Sequence, residues 1–196
     1  MPSRSAADWI RSNCSRGDTN RSPSRSPTLE TRTTLTARLT EDRLAIEEGT
    51  PAPDFTLSTD SGDNLSLSSL RGKAVVLYFY PKDDTPGCTT QACGIRDAWG
   101  EFERAGAVVV GVSPDGEASH AKFKEKYDLP FTLLADTDHE VADAYGVWGE
   151  KTYAGKTYMG VHRSTFVIDA DGNVARVFHD VKPAEHADQV LDALGA

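Results

Sequence analysis

The chain has 196 residues, of which 38% are apolar and 26% charged, and its net charge is −9. That length suits one domain, or one domain with a tail. The acidic surplus excludes a broad nucleic-acid footprint, which needs excess Lys and Arg to displace counterions, and an electrostatic anchor on anionic lipid. The longest apolar runs, Ala74–Tyr80 and Val108–Val112, fall far short of the roughly 20 apolar residues of a membrane-spanning helix, and three cysteines are too few for a disulfide scaffold.

Charge divides the chain. Residues 1–44 carry eight Arg, no Lys and five acidic residues, a net of +3, whereas residues 45–196 carry a net of −12. The first segment is rich in Ser and Thr and shows no helical or strand period. Such a composition buries too little surface to offset chain entropy, so it reads as a disordered extension. It is expected to be a dispensable leader or an organelle transit peptide, with its five acidic residues counting against the second. It has no apolar stretch of the secretory kind. The expected location is the cytoplasm, or an organelle if the extension is a transit peptide.

From about Leu44 the pattern becomes that of a folded domain, 45–196. Phe55–Leu57 and Leu65–Leu67 alternate around the turn-forming run Asp60–Asn64 and predict an N-terminal β-hairpin. Ala74–Tyr80 predicts a buried central strand. Residues 89–104 predict one helix with Ile95, Trp99 and Phe102 on its apolar stripe. Ala107–Val112 predicts a second buried strand, Glu117–Tyr127 an amphipathic helix, Phe131–Leu134 a short strand and His139–Tyr145 a short helix. Residues 149–160, with three glycines, read as a loop. Thr165–Ile168 and Val174–Phe178 predict a hairpin, and Ala184–Leu194 a closing helix. Strands interleaved with helices, ending on a hairpin, predict an α/β domain with a mixed sheet covered on both faces.

The chemistry is concentrated in Pro81-Lys82-Asp83-Asp84-Thr85-Pro86-Gly87-Cys88-Thr89-Thr90-Gln91-Ala92-Cys93. Cys88 falls where a helix begins, and unpaired N–H groups with the helix dipole favour thiolate, the nucleophilic form. Thr85, three residues earlier, is placed to donate a hydrogen bond to the sulfur and to a bound oxygen. Pro81 and Pro86 stiffen the loop. Cys93 lies five residues on, which in a regular helix is about 8.5 Å between Cα atoms. A disulfide needs about 7 Å or less, so the pair can join only if the helix opens, and Gly87 and Gly94 weaken it there. Two blander readings stand beside this one: a pair of buried small apolar residues, or half of a zinc site completed by scattered histidines. Cys14, in the extension, reads as an incidental thiol.

These residues resemble the peroxiredoxins, whose active-site pattern Pro-x-x-x-Thr-x-x-Cys is matched by Pro81, Thr85 and Cys88. More narrowly, Phe79–Lys82, Thr85–Thr90 and Ala92-Cys93 resemble the BCP/PrxQ subfamily (bacterioferritin comigratory protein). The likeness continues through Gly111–Ser113, Phe131–Asp136, Gly155-Lys156 and Arg163–Asp169, and spans about residues 48–196. His162 departs from the residues expected beside Arg163. The resemblance implies a thioredoxin-like, three-layer α/β/α fold and a thiol-dependent peroxidase for hydrogen peroxide and organic hydroperoxides. It implies Cys88 as the peroxidatic cysteine and Cys93 as the resolving one. It implies Thr85, Gly87 and Arg163 around the substrate, with Arg163 stabilising thiolate. It further implies recycling by thioredoxin or a similar dithiol, a monomer, and no metal, haem or flavin cofactor. A thioredoxin-class disulfide reductase would normally carry Cys-x-x-Cys. A peroxide-sensing switch would use the same cysteines without turnover.

Overall fold

The computed structural model describes residues 46–153 and 155–195; the predicted disordered extension, Cys14 included, lies outside the described residues. The strands are β1 (Thr56–Thr59), β2 (Asn64–Ser66), β3 (Ala74–Phe79), β4 (Ala107–Ser113), β5 (Thr132–Ala135), β6 (Trp148–Tyr153), β7 (Lys156–Val161), β8 (Ser164–Ile168) and β9 (Val174–His179). The helices are α1 (Pro86–Asp97), α2 (Trp99–Arg104), α3 (Glu117–Tyr127), α4 (Glu140–Ala144) and α5 (His186–Leu194).

Seven strands form one mixed sheet in the order β2-β1-β5-β4-β3-β8-β9. Strands β3, β4 and β5 run parallel, and the remaining pairs are antiparallel. Strand β3 is apolar or aromatic at every position, and β4 at all but Ser113, because both faces are covered. Strand periodicity sorts their side chains: Val76 and Tyr78 join the core beneath α1, α2, α3 and α5, whereas Val75, Leu77 and Phe79 join the core beneath α4 and the segment holding Ala52 and Phe55. Gly111 of β4 is a packing requirement. A Cβ there would lie 2.7 Å from the Tyr78 hydroxyl and 2.8 Å from a Leu133 methyl, so only glycine admits the Tyr78 ring.

Two elements differ from the sequence expectation. The single helix expected over residues 89–104 is two, because Ala98, at φ −94° and ψ 10°, caps one and opens the next. The apolar stripe nevertheless holds, with Ile95 and Phe102 buried and Trp99 packed at the edge of the same core. The expected loop over 149–160 is an antiparallel ribbon, β6 paired with β7 from Trp148↔Val161 to Tyr153↔Lys156. Its glycines mislead because Gly149 and Gly160 face each other as one cross-strand pair, and only Gly155 sits at the turn, at φ 77°. Among the described residues no helix is long and apolar enough to cross a membrane.

Candidate active site

Strand β3 feeds directly into the cysteine loop. Tyr80 N–H still donates to Val112 O (3.0 Å), extending the strand pairing by one residue, and Pro81 ends it. The chain turns through Asp84, at φ 54°, and enters α1 with Pro86 in the first helical position. Proline suits that position because its missing N–H would have no intrahelical acceptor. The helix thus starts three residues before Thr89 and places Cys88 in its first turn, where free N–H groups and the dipole favour an anion.

Cys88 is a free thiol, only 2% exposed. Arg163 Nη2 donates to its Sγ at 3.3 Å. Arg163 immediately precedes β8, and with Thr165 and Val167 it takes the strand positions that face the α1 side of the sheet. Gly87 lies beside the same guanidinium: a Cβ there would be 3.4 Å from Nη2. Cys93 is buried in the same helix and the same apolar core. Thr85 differs from expectation. Its hydroxyl donates to Lys82 O (3.1 Å) and so closes the loop on itself instead of reaching the sulfur. The reason is local: with Pro86 fixing the helix start, Thr85 is the capping residue and its side chain finds the nearest loop carbonyl. Lys151 of β6 donates to Val161 O (2.8 Å), and its pKa is lowered first by burial and then by the nearby Arg163 cation.

Sequence reasoning missed two sets of residues. In the first, Arg163 Nη1 donates to Gln91 Oε1, Gln91 Nε2 bonds His186 Nδ1 (3.1 Å), and His186 Nε2 bonds Thr165 Oγ1 (2.8 Å). Gln91, His186 and Thr165 are at most 1% exposed. Burial, and then the positive charge of Arg163, lower the His186 pKa to about 4, so its ring is neutral at neutral pH.

In the second set, the Asp83 carboxylate accepts from Tyr80 OH (2.7 Å), Ser119 OH (2.7 Å) and His120 Nδ1 (2.8 Å). His120 Nε2 lies 3.1 Å from Leu134 O, so both ring nitrogens are engaged by oxygen atoms. Burial alone would raise the Asp83 pKa, but the hydrogen bonds from His120, Ser119 and Tyr80 overcome it and leave it lowered. Asp83 N–H donates in turn to Asp115 (2.7 Å). Next to it, Asp84 accepts from Lys126 (2.6 Å) and Tyr127 OH (2.6 Å) at the surface, and these bonds lower its pKa. The cysteine loop is therefore tied to β4 and α3. The signal available in the sequence was the Asp83-Asp84 pair inside the motif, whose partners other than Tyr80 lie 32 or more residues away.

A buried thiol at a helix start, with a fixed cation on its sulfur and a sheet of mixed direction behind it, defines a thiol oxidoreductase of thioredoxin-like architecture. Among the described residues no group of three or more His, Cys, Asp or Glu side chains is placed to hold a metal.

Comparison with known proteins narrows the class. The model of the AhpC/TSA family matches residues 49–177. A putative peroxiredoxin bcp of Coxiella burnetii is 52% identical over 151 residues, covering 77% of this chain and all of the relative. Peroxiredoxin Bcp of Bacillus subtilis is 49% identical, covering 77% of this chain and 96% of the relative. The solved structure of Xanthomonas campestris bacterioferritin comigratory protein, described for alkyl peroxide reduction, superposes with a TM-score of 0.71 at 38% identity, covering 76% of this chain and 98% of that one. This chain belongs to the AhpC/TSA family and, within it, to the Bcp/PrxQ peroxiredoxins. It is a peroxiredoxin oxidoreductase, a thiol-dependent peroxidase that acts on peroxide with a thiol reductant.

Proposed function

We propose that Cys88 is the thiol that attacks peroxide, that Cys93 resolves the product by a bond to Cys88, and that thioredoxin returns both to thiols. The observation that carries this reading is the contact of Arg163 Nη2 with Cys88 Sγ, 3.3 Å, at the start of α1. A guanidinium cannot lose its charge near neutral pH, so it favours thiolate over thiol and offers donors to a peroxide oxygen.

The steps follow. The Cys88 thiolate donates an electron pair to one peroxide oxygen, the O–O bond breaks, and the leaving alkoxide or hydroxide takes a proton. Cys88 is oxidised to sulfenic acid and the peroxide is reduced to alcohol or water. The free N–H groups around Gly87 and Cys88, with Arg163, hold the oxygens in line. Pro81 ends the strand that delivers this loop, and the Thr85 hydroxyl, bonded to Lys82 O at rest, is near enough in sequence to swing toward a bound peroxide oxygen. The first turns of α1 then unwind, Cys93 sulfur attacks Cys88 sulfur, and the hydroxyl departs as water. A dithiol reduces the disulfide and is itself oxidised. Both cysteines lie on one helix, so a single chain completes the cycle and a monomer suffices. The cytoplasm, where thiols are kept reduced, fits such a cycle.

The test is a peroxidase assay with thioredoxin, its reductase and NADPH. Cys93→Ser is expected to reduce about one equivalent of peroxide and then stop. Full turnover in Cys93→Ser would move resolution to another thiol, Cys14 or one on a partner.

A further inference from the structure

We propose that His186, the first residue of α5, is a positioning residue for the peroxidase site: it fixes the Gln91 amide so that its oxygen, not its nitrogen, faces Arg163. The inference rests on the reading of Cys88 as attacking thiol and Arg163 as the cation that serves it.

Arg163 is a donor only, so the Gln91 atom that meets it must be the carbonyl oxygen. The Gln91 NH2 then points to His186 Nδ1 at 3.1 Å, and that nitrogen must accept. A neutral imidazole accepts at one nitrogen and donates at the other, and its remaining N–H meets Thr165 Oγ1 at 2.8 Å. Burial and the Arg163 charge, which lower the His186 pKa, keep the ring in this neutral form. The whole path is dry: Gln91 is 0% exposed, Thr165 0% and His186 1%. Water therefore offers no substitute acceptor, and a Gln91 amide deprived of His186 leaves a buried N–H2 group unpaired. With that bond gone the amide plane is no longer pinned, and its oxygen loses its fixed aim at Arg163.

The path joins three distant parts of the fold. Gln91 is on α1, Thr165 on β8 and His186 on α5, which packs against α1. His186 is 95 residues from Gln91 in sequence and further still from Cys88. It touches neither the sulfur nor the guanidinium by hydrogen bond, so its effect on the reaction passes through Gln91. The same bond ties the first turns of α1 to α5, and it must break when α1 unwinds for the proposed resolution step.

The experiment measures the second-order rate of Cys88 oxidation by hydrogen peroxide in stopped flow, with the fraction of thiolate read by ultraviolet absorbance at neutral pH. His186→Leu is expected to lower the oxidation rate about fivefold to tenfold, the effect of one lost buried hydrogen bond. It is expected to lower the thiolate fraction as well, and to leave the later disulfide-forming step as fast or faster. His186→Asn places an amide oxygen where Nδ1 was, and is expected to stay within about twofold of the native rate while still losing the Thr165 bond. In a Gln91→Ala background, His186→Leu should add nothing. An unchanged oxidation rate in His186→Leu overturns the proposal, as does equal damage from Asn and Leu, or full additivity with Gln91→Ala. If His186→Leu does not fold, Gln91→Ala and His186→Asn decide: a native rate in the first, or a loss in the second, overturns it. Cys88→Ser, run alongside, separates this inference from the reading beneath it. A Cys88→Ser protein that still consumes peroxide removes the reading. A native-like rate in His186→Leu, with Cys88→Ser inert, removes only the inference.

Discussion

Cys88 stands between two buried polar networks that handle charge in opposite ways. On its α5 side, Arg163 is held by neutral groups, Gln91, His186 and Thr165, in sequence. On its α3 side, the Asp83 carboxylate is surrounded by donors from Tyr80, Ser119 and His120. In this second network the negative charge is spread over three short hydrogen bonds, the one from His120 at 2.8 Å. In the first network the guanidinium charge meets no carboxylate among these partners, and its other nitrogen donates to the Cys88 sulfur. One network aims a fixed cation at Cys88, and the other ties the cysteine loop to the rest of the fold through a buried carboxylate.

That contrast can be broken by substitution. The largest effect expected is from Cys88→Ser, which should abolish peroxide reduction and leave the fold intact; the coupled assay and a thermal melt check the two halves. Next is Asp83→Ala, which strands a buried His120 and its hydrogens. It is expected to lower stability by about 3 kcal/mol or more, because three buried donors lose a charged acceptor. Urea unfolding measures it. The pH dependence has a definite sign. The hydrogen bonds leave the folded Asp83 pKa below its unfolded value. Its stabilisation is therefore fully present above the unfolded carboxylate range and is lost as pH falls toward the lower, folded value. The urea midpoint of native protein should fall on acidification through that window, and Asp83→Asn should flatten the fall.

Arg163→Ala should act mainly on rate instead. It is expected to slow Cys88 oxidation by ~10²–10³-fold, the range for removing one donor to developing charge. Stability should fall less than in Asp83→Ala, by about 1–3 kcal/mol, because the change leaves the buried Gln91 Oε1 without its donor but no buried charge behind. If both variants lost stability and rate to the same extent, the division of labour between the networks would be wrong. The smallest effect belongs to Lys126→Met. Its pair with Asp84 is half exposed, 44% and 46%, so less than about 1 kcal/mol is expected despite the short 2.6 Å contact.

The same contrast explains what could be read from the chain alone. Pro81, Thr85 and Cys88 were legible because the motif is local, whereas Arg163, by itself a strand-end charge, was reached only through the family resemblance. The apolar runs of β3 and β4, buried on both sides, were equally plain. Neither network was. Gln91 and His186 are 95 residues apart, and Asp83 and His120 are 37 apart. A buried histidine or aspartate has no local pattern, since its partners are chosen by sheet order and not by spacing. The β6–β7 ribbon was missed for a related reason: Gly149 and Gly160 pair across strands, so glycines that look like breakers in one dimension are neighbours in the ladder. Thr85 shows the limit of motif reasoning. The motif puts it three residues before Cys88, but its hydroxyl is engaged by Lys82 O and not by the sulfur.

The central claim is that Cys88 is the atom that meets peroxide, and its most direct measurement is chemical trapping. Cys93→Ser protein is treated with one equivalent of hydrogen peroxide in the presence of a carbon nucleophile that captures sulfenic acid, and is then digested for mass spectrometry. The account predicts the adduct on Cys88, and its loss when Arg163 is also replaced by Ala and the reaction time is held short. Peroxide consumed with Cys88 recovered as unmodified thiol, and the adduct on Cys14, would contradict it.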